Sequence, residues 1–195
     1  MILARELLKE LKDKNIPACV AGGYLRDIVL GRPPKDMDVV IFGNHTEIKN
    51  INHADAASIL KNVEHRVQNG ILINIGRFKT TSYPVEIIEH LYTGHYRGML
   101  VDMIFYKDAY FNGAEVVETF DMNINQGYMT LDRMVSPDVT TLKLNNLARC
   151  TEARVIKGFK MIMDNYCKNH DLLIPGASEH PRTPIGAPNA GKNST

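Results

Sequence analysis

Val20-Ala21-Gly22-Gly23-Tyr24-Leu25-Arg26-Asp27, followed by Asp36-Met37-Asp38-Val39-Val40-Ile41-Phe42, is the stretch whose reading decides the fold. Paired glycines let backbone N–H groups approach a ligand closely, and a helix starting there adds partial positive charge, which suits phosphate oxygens. Leu25, Ile28 and Val29 are helically spaced, and Gly31 with Pro33-Pro34 stops that helix. The apolar, β-branched run after Asp36 reads as a buried strand. Asp36 and Asp38 stand two residues apart, so on a strand both side chains share a face. Two such carboxylates repel and resist burial unless they share a cation. Mg²⁺ takes carboxylate and phosphate oxygens together. Taken singly, Gly-Gly is ordinarily a turn and Asp-x-Asp a solvated strand end. In this order they match metal-dependent phosphoryl or nucleotidyl transfer.

Outward from this stretch, Leu3, Leu7, Leu8 and Leu11 form one helical stripe, with Pro17 beyond its end. A third helix is expected over 53–63 through Ala56, Ile59, Leu60 and Val63, capped by Asn52. Strands are expected at Ile71–Ile75, Val85–Ile88, Leu100–Tyr106 and Glu115–Thr119. Helical spacing returns from about Asn145 to Lys168 through Val155, Phe159, Ile162 and Tyr166. Helices and strands mix without regular alternation, so the fold class expected is α+β. The tail after Pro175 has almost nothing to bury and reads as disordered. The expected division is one domain over 1–172 and a tail over 173–195.

The whole-chain composition bounds the partners. At 195 residues with 44% hydrophobic content, one domain can bury a core without staples. Lys plus Arg number 23 against 22 for Asp plus Glu, so nucleic-acid contact must come from a local patch rather than a generally basic surface. Cys19, Cys150 and Cys167 are an odd count without paired spacing, which points to a reducing compartment and a cytoplasmic location. The amino terminus mixes charge into its apolar positions, and no run of about 18 apolar residues occurs, so no membrane partner is expected. His90 and His95 flank Tyr92, but no metal-binding spacing accompanies them, so zinc is not expected. Tyr83, Tyr92, Tyr96 and Tyr106 could stack a base, although strand aromatics are more often packing residues.

Two further acids sit in apolar strands: Asp102, within Leu100–Tyr106, and Glu86, within Val85–Ile88. Each invites a partner, because burying a lone carboxylate is costly. Asp102 is flanked by apolar residues on both sides, whereas Glu86 follows Pro84, which fits a sheet edge. Arg154, Lys157 and Lys160 form a basic stripe suited to phosphates or to a solvated face.

Gly22-Gly23-Tyr24-Leu25-Arg26-Asp27 with Asp36-Met37-Asp38 resembles the head domain of class II tRNA nucleotidyltransferases and bacterial poly(A) polymerases, within the DNA polymerase beta-like superfamily. Phe120-Asp121-Met122-Asn123-Ile124-Asn125 is similar to that group's Asp-Phe-Thr-Ile-Asn element. Here Phe120 replaces an arginine and Met122 an aromatic residue. Arg154 to Lys160 is similar to its arginine-rich helix, with lysines replacing two arginines. The resemblance implies a nucleotidyltransferase fold with a mixed twisted sheet, acting as a small stand-alone head without template-reading domains. It implies that Asp36, Asp38 and Asp102 hold two Mg²⁺ ions, with Asp102 resembling the superfamily's third acid more closely than Glu86. Gly22, Gly23 and Arg26 would cradle a nucleoside triphosphate, and Asp27 would contact the nucleotide or buttress the arginine. Asp121, Asn125 and Arg154 are expected at the nucleotide pocket. The implied reaction moves a nucleoside monophosphate to an acceptor hydroxyl, foremost on RNA at a tRNA 3′ end. Nucleotidylation of a protein or small molecule, and a non-catalytic nucleotide-binding or toxin-neutralising module, stay open.

Overall fold

The computed structural model describes residues 1–73, 85–145 and 150–170. Helix α1 (Ile2–Asp13) leads to strand β1 (Ala18–Ala21), helix α2 (Gly23–Val29) and strand β2 (Asp36–Ile41). Two short helices, α3 (His45–Asn50) and α4 (His53–Ala57), precede β3 (Lys61–Gln68) and β4 (Ile71–Leu72). A 3₁₀ turn (Val85–Ile87) opens β5 (Ile88–Tyr96), which pairs with β6 (Met99–Tyr106). Helix α5 (Gly113–Glu118), a second 3₁₀ turn (Asn123–Asn125), β7 (Tyr128–Met129), β8 (Met134–Val135) and helix α6 (Glu152–Asn169) complete the described chain.

The strands form one mixed sheet in the order β4-β3-β5-β6-β2-β1-β7-β8, in which β2 and β6 run parallel and the other pairs antiparallel. The α+β class is therefore the observed one. Strand periodicity divides the core. Val20, Met37, Val39, Val101, Met103 and Phe105 face one side, where Leu7, Leu8 and Leu11 of α1 and Ala56, Ala57 and Leu60 near α4 cover them. Cys19, Ala21, Val40, Leu91 and Ile104 face the other side, under Val116 and Val117 of α5. The β5–β6 hairpin closes through Arg97 and Gly98, at φ of 48° and 90°, the two-residue turn whose twist matches its strands. On α6, Ile156, Phe159, Met163 and Tyr166 remain exposed.

Three expected elements differ. The helix read over 53–63 is five residues long, and Lys61–Gln68 is strand β3. Asn52 does cap the helix by accepting from the Asp55 N–H, but pairing with β5 draws the following residues, Val63 included, into the sheet. Glu115–Thr119, expected as a strand, lies in and just after α5, where Asn112 accepts from the N–H groups of Ala114 and Glu115. That cap outweighs the β preference of Val116-Val117. Val85–Ile88 is a 3₁₀ turn that becomes strand only at Ile88. Of Ile71–Ile75 the first two residues pair; Asn74 and Ile75 lie outside the described residues, as do Tyr83, Arg149 and the tail call over 173–195.

A histidine group sits on the α4 side of the sheet. His65 Nε2 and His90 Nδ1 are 3.1 Å apart, and the His53 ring packs 4.1 Å from His90 and 4.7 Å from Phe105, centre to centre. Burial, then the neighbouring His53 and His65, push His90 down from 6.5 to about 4. Burial also lowers His53, against an opposing pull from Glu89, and lowers His65. These groups stay neutral in the fold while the unfolded chain takes up protons, so their contribution is present above pH 6.5 and is lost as pH falls towards 4. Urea titrations across that window are expected to show the midpoint falling with pH. In His90→Phe, which keeps a ring against Phe105, the fall should be shallower; an unchanged slope would count against the assignment.

Candidate nucleotide site

One lateral row of residues crosses the sheet and organises the site. Glu64 on β3 pairs with Thr93 on β5, Thr93 with Asp102 on β6, Asp102 with Asp38 on β2, and Asp38 with Ala21 on β1. Residues paired across strands point to the same face, so Asp38 and Asp102 stand side by side. Asp36 lies on that face two residues earlier and is exposed at the strand's start. Both Asp38 and Asp102 are half-buried. The Thr93 hydroxyl, 1% exposed, donates to Asp102 Oδ1 at 2.6 Å. Glu86 stands off this row, in the 3₁₀ turn before the far end of β5.

The glycine turn closes on the row from β1. Gly22 has φ of 73°, and a Cβ there would lie 3.1 Å from Asp38 Oδ2 and 3.3 Å from the Phe120 ring. Both backbone conformation and space therefore require glycine. Its N–H donates to the Gly127 carbonyl at 3.1 Å, so this amide ties the turn to the segment before β7 rather than pointing at a ligand. A Cβ at Gly23 would lie 3.2 Å from the Arg26 guanidinium, so the second glycine makes room for that side chain.

From Arg26 a chain of polar contacts runs to α6. Arg26 pairs with Asp27 at 2.8 Å and donates to Asn125 Oδ1 at 2.8 Å. Asn125 Nδ2 donates to Asp121 Oδ1 at 3.1 Å, and Arg154 reaches Asp121 Oδ2 at 2.7 Å. Asp27 thus buttresses the arginine. Arg26, Asp27, Asp121, Asn125 and Arg154, expected at one pocket, do converge, although their contacts are with one another. Lys157 and Lys160 point outward from α6.

Among the described residues no group of three or more His, Cys, Asp or Glu side chains forms a ready-made metal cage. The acid row still fits Mg²⁺, which characteristically binds one or two carboxylates and completes its octahedron with water and substrate phosphates. Sequence reasoning missed Thr93 because the strand expected there stopped at Ile88, and Glu64 because its partner Thr93 lies on a strand far along the chain.

Residues 18–93 match the family model of the poly A polymerase head domain. The head match includes Gly22, Gly23, Arg26, Asp27, Asp36, Asp38 and Thr93, and ends before Asp102. No curated protein matches the chain significantly. Among solved structures, a CCA-adding enzyme in complex with ATP matches with a TM-score of 0.51 and 16% identity, covering 84% of this chain and 37% of that one. An apo form of a CCA-adding enzyme matches with a TM-score of 0.50 and 16% identity, covering 91% and 42%. The Thermotoga maritima CCA-adding enzyme complexed with tRNA gives 0.47 and 18%, covering 74% and 32%. At these identities the first two likenesses show a shared fold. The chain spans about a third to two-fifths of the length of these structures.

The Asp121–Arg154 pair is asymmetric, with side-chain exposures of 5% and 37%. Arg154→Met leaves a buried carboxylate short of its cation, whereas Asp121→Asn leaves an arginine that reaches water. The first is expected to cost about 1–3 kcal/mol in urea unfolding and the second clearly less. Equal losses would count against the burial of Asp121 as the source of the asymmetry.

Proposed function

We propose that this chain is a metal-dependent nucleotidyltransferase that moves a nucleoside monophosphate from a nucleoside triphosphate to an acceptor hydroxyl, foremost on RNA at a tRNA 3′ end. The observation that carries this reading is the in-register placement of Asp38 beside Asp102, with the Gly22 turn packed against Asp38. The family match over residues 18–93 supports the same chemistry, and the ATP complex of a like-folded CCA-adding enzyme supports a nucleoside triphosphate as donor.

In this reading Asp36, Asp38 and Asp102 hold two Mg²⁺ ions, and Gly22, Gly23 and Arg26 border the triphosphate. Bound Mg²⁺ lowers the pKa of the acceptor hydroxyl and neutralises phosphate charge. The acceptor hydroxyl gives up its proton to solvent and its oxygen forms a bond to the α-phosphorus while the bond from that phosphorus to its bridging oxygen breaks, and pyrophosphate leaves with the electron pair. The row holds the carboxylates on strands rather than loops, so they are placed before substrate arrives. The network from Asp27 to Arg154 fixes the first turn of α2, with Asp121 and Asn125 behind Arg26 and Arg154 bracing the pocket from α6.

Incubation with each α-labelled nucleoside triphosphate, Mg²⁺ and total RNA is expected to label RNA. Asp38→Asn should lower the rate at least a hundredfold without lowering the unfolding midpoint, on the order expected when a metal-bound acid is lost. Label in protein or a small molecule would favour the alternative acceptors. No label with any acceptor, from a folded protein that still binds nucleotide, would favour the non-catalytic module.

A further inference from the structure

The geometry points to Thr93 as a positioning residue: its buried hydroxyl sets the orientation of Asp102, and through it the divalent-cation affinity of the Asp38–Asp102 pair. This inference rests on the metal-dependent reading above and adds a residue to it. Thr93 lies under the sheet surface at 1% exposure, with its Oγ1 donating to Asp102 Oδ1 at 2.6 Å. That is the length of a hydroxyl bonded to an ionised carboxylate, roughly twice as strong as a bond between neutral groups.

The hydroxyl has a choice of acceptor. A threonine carries one proton to donate, and its row neighbours are acids on both sides, Glu64 on β3 and Asp102 on β6. The proton goes to Asp102, while Glu64 Oε2 is buried and takes no hydrogen bond among the described residues. The strand itself does not ask for the hydroxyl, because valine has the same shape and an equal or higher preference for β structure. Burying a hydroxyl in an apolar strand carries a desolvation cost that valine avoids. What the hydroxyl adds is a fixed carboxylate plane next to Asp38.

Backbone constraints on both sides hold the donor in place. Three residue pairs separate Thr93–Asp102 from the Arg97-Gly98 turn, so the register is set close by. On the opposite face, a Cβ at Gly94 would lie 3.0 Å from Leu60 Cβ and 3.0 Å from the Lys61 carbonyl, so the entry to β3 packs tightly against the β5 backbone next to Thr93. Residues that hold a metal ligand through a hydrogen bond characteristically shift metal affinity or activity by about 10–100-fold when removed.

The test uses Mn²⁺ alone as the probe, with binding read from loss of the free-ion electron paramagnetic resonance signal, on the full chain. Thr93→Val is expected to weaken Mn²⁺ binding about tenfold while the metal-free protein still unfolds in one cooperative transition. Thr93→Ser, which keeps the donor, should restore the affinity. Asp102→Asn should weaken binding at least as much, and adding Thr93→Val to it should cause no further loss. If Thr93→Val does not fold, Thr93→Ala removes the hydroxyl without adding bulk and takes its place. Parent-like binding by Thr93→Val beside weakened binding by Asp102→Asn would overturn the role of Thr93 and leave the metal reading standing. Parent-like binding by Asp102→Asn, or no Mn²⁺ binding by the parent protein, would overturn the metal reading and this inference with it.

Discussion

The parallel pairing of β2 with β6 sets two aspartates shoulder to shoulder, and the surroundings are arranged around that repulsion. Neighbouring strands lie about 4.8 Å apart. Two unit charges at that spacing repel by roughly 3 kcal/mol at the effective dielectric typical of protein surfaces. A fold meets such a cost by hydrogen-bonding the charges, leaving them partly wet, or supplying a cation. The first two are visible here: Thr93 donates to Asp102, and both acids are half-buried rather than sealed. The third is the chemistry proposed for the site. Because the sheet is covered by α1 and α4 on one face and by α5 on the other, the strands cannot relax the pair by sliding apart.

The same sheet separates two chemistries by strand alternation. Along β5, His90 and Tyr92 turn to the α4 side, while Leu91 and Thr93 turn to the side of the acids. A neutral, ring-packed histidine group therefore backs a face of carboxylates, one strand thickness away. Titration of the rings bears on fold stability, while on the other face Asp102 keeps its own hydrogen bond from Thr93.

Legibility followed the range of the interaction that decided each element. Gly22-Gly23, the Asp36–Phe42 run and the α1 stripe depend on neighbours within a few residues, and the structure places them as their pattern indicates. Asn112 and Glu115 were readable as a helix start, yet Val116-Val117 pulled the reading towards a strand. Lys61–Gln68 could not be read correctly from local spacing, because its partner β5 begins twenty residues after its end. Glu64 stayed hidden for the same reason, and Thr93 because a strand was expected only as far as Ile88. For the α2–α6 network, the motif supplied Arg26, Asp121, Asn125 and Arg154 as names, and the fold supplied the order in which they touch.

The two-residue turn at Arg97-Gly98 has a consequence for how this chain tolerates change in length. Side chains on a strand alternate faces, so the identity of the residue opposite Asp102 depends on an even count through the hairpin. One residue added or deleted near this turn, unless absorbed as a bulge, would carry Tyr92 or Gly94 into the place of Thr93 and direct ring-bearing positions towards the acids. Hairpin tips are ordinarily where proteins accept insertions most freely. Here the tip acts as a counter for the site: lineages of this protein should vary the chemistry of Arg97 far more readily than the number of residues between Tyr96 and Met99.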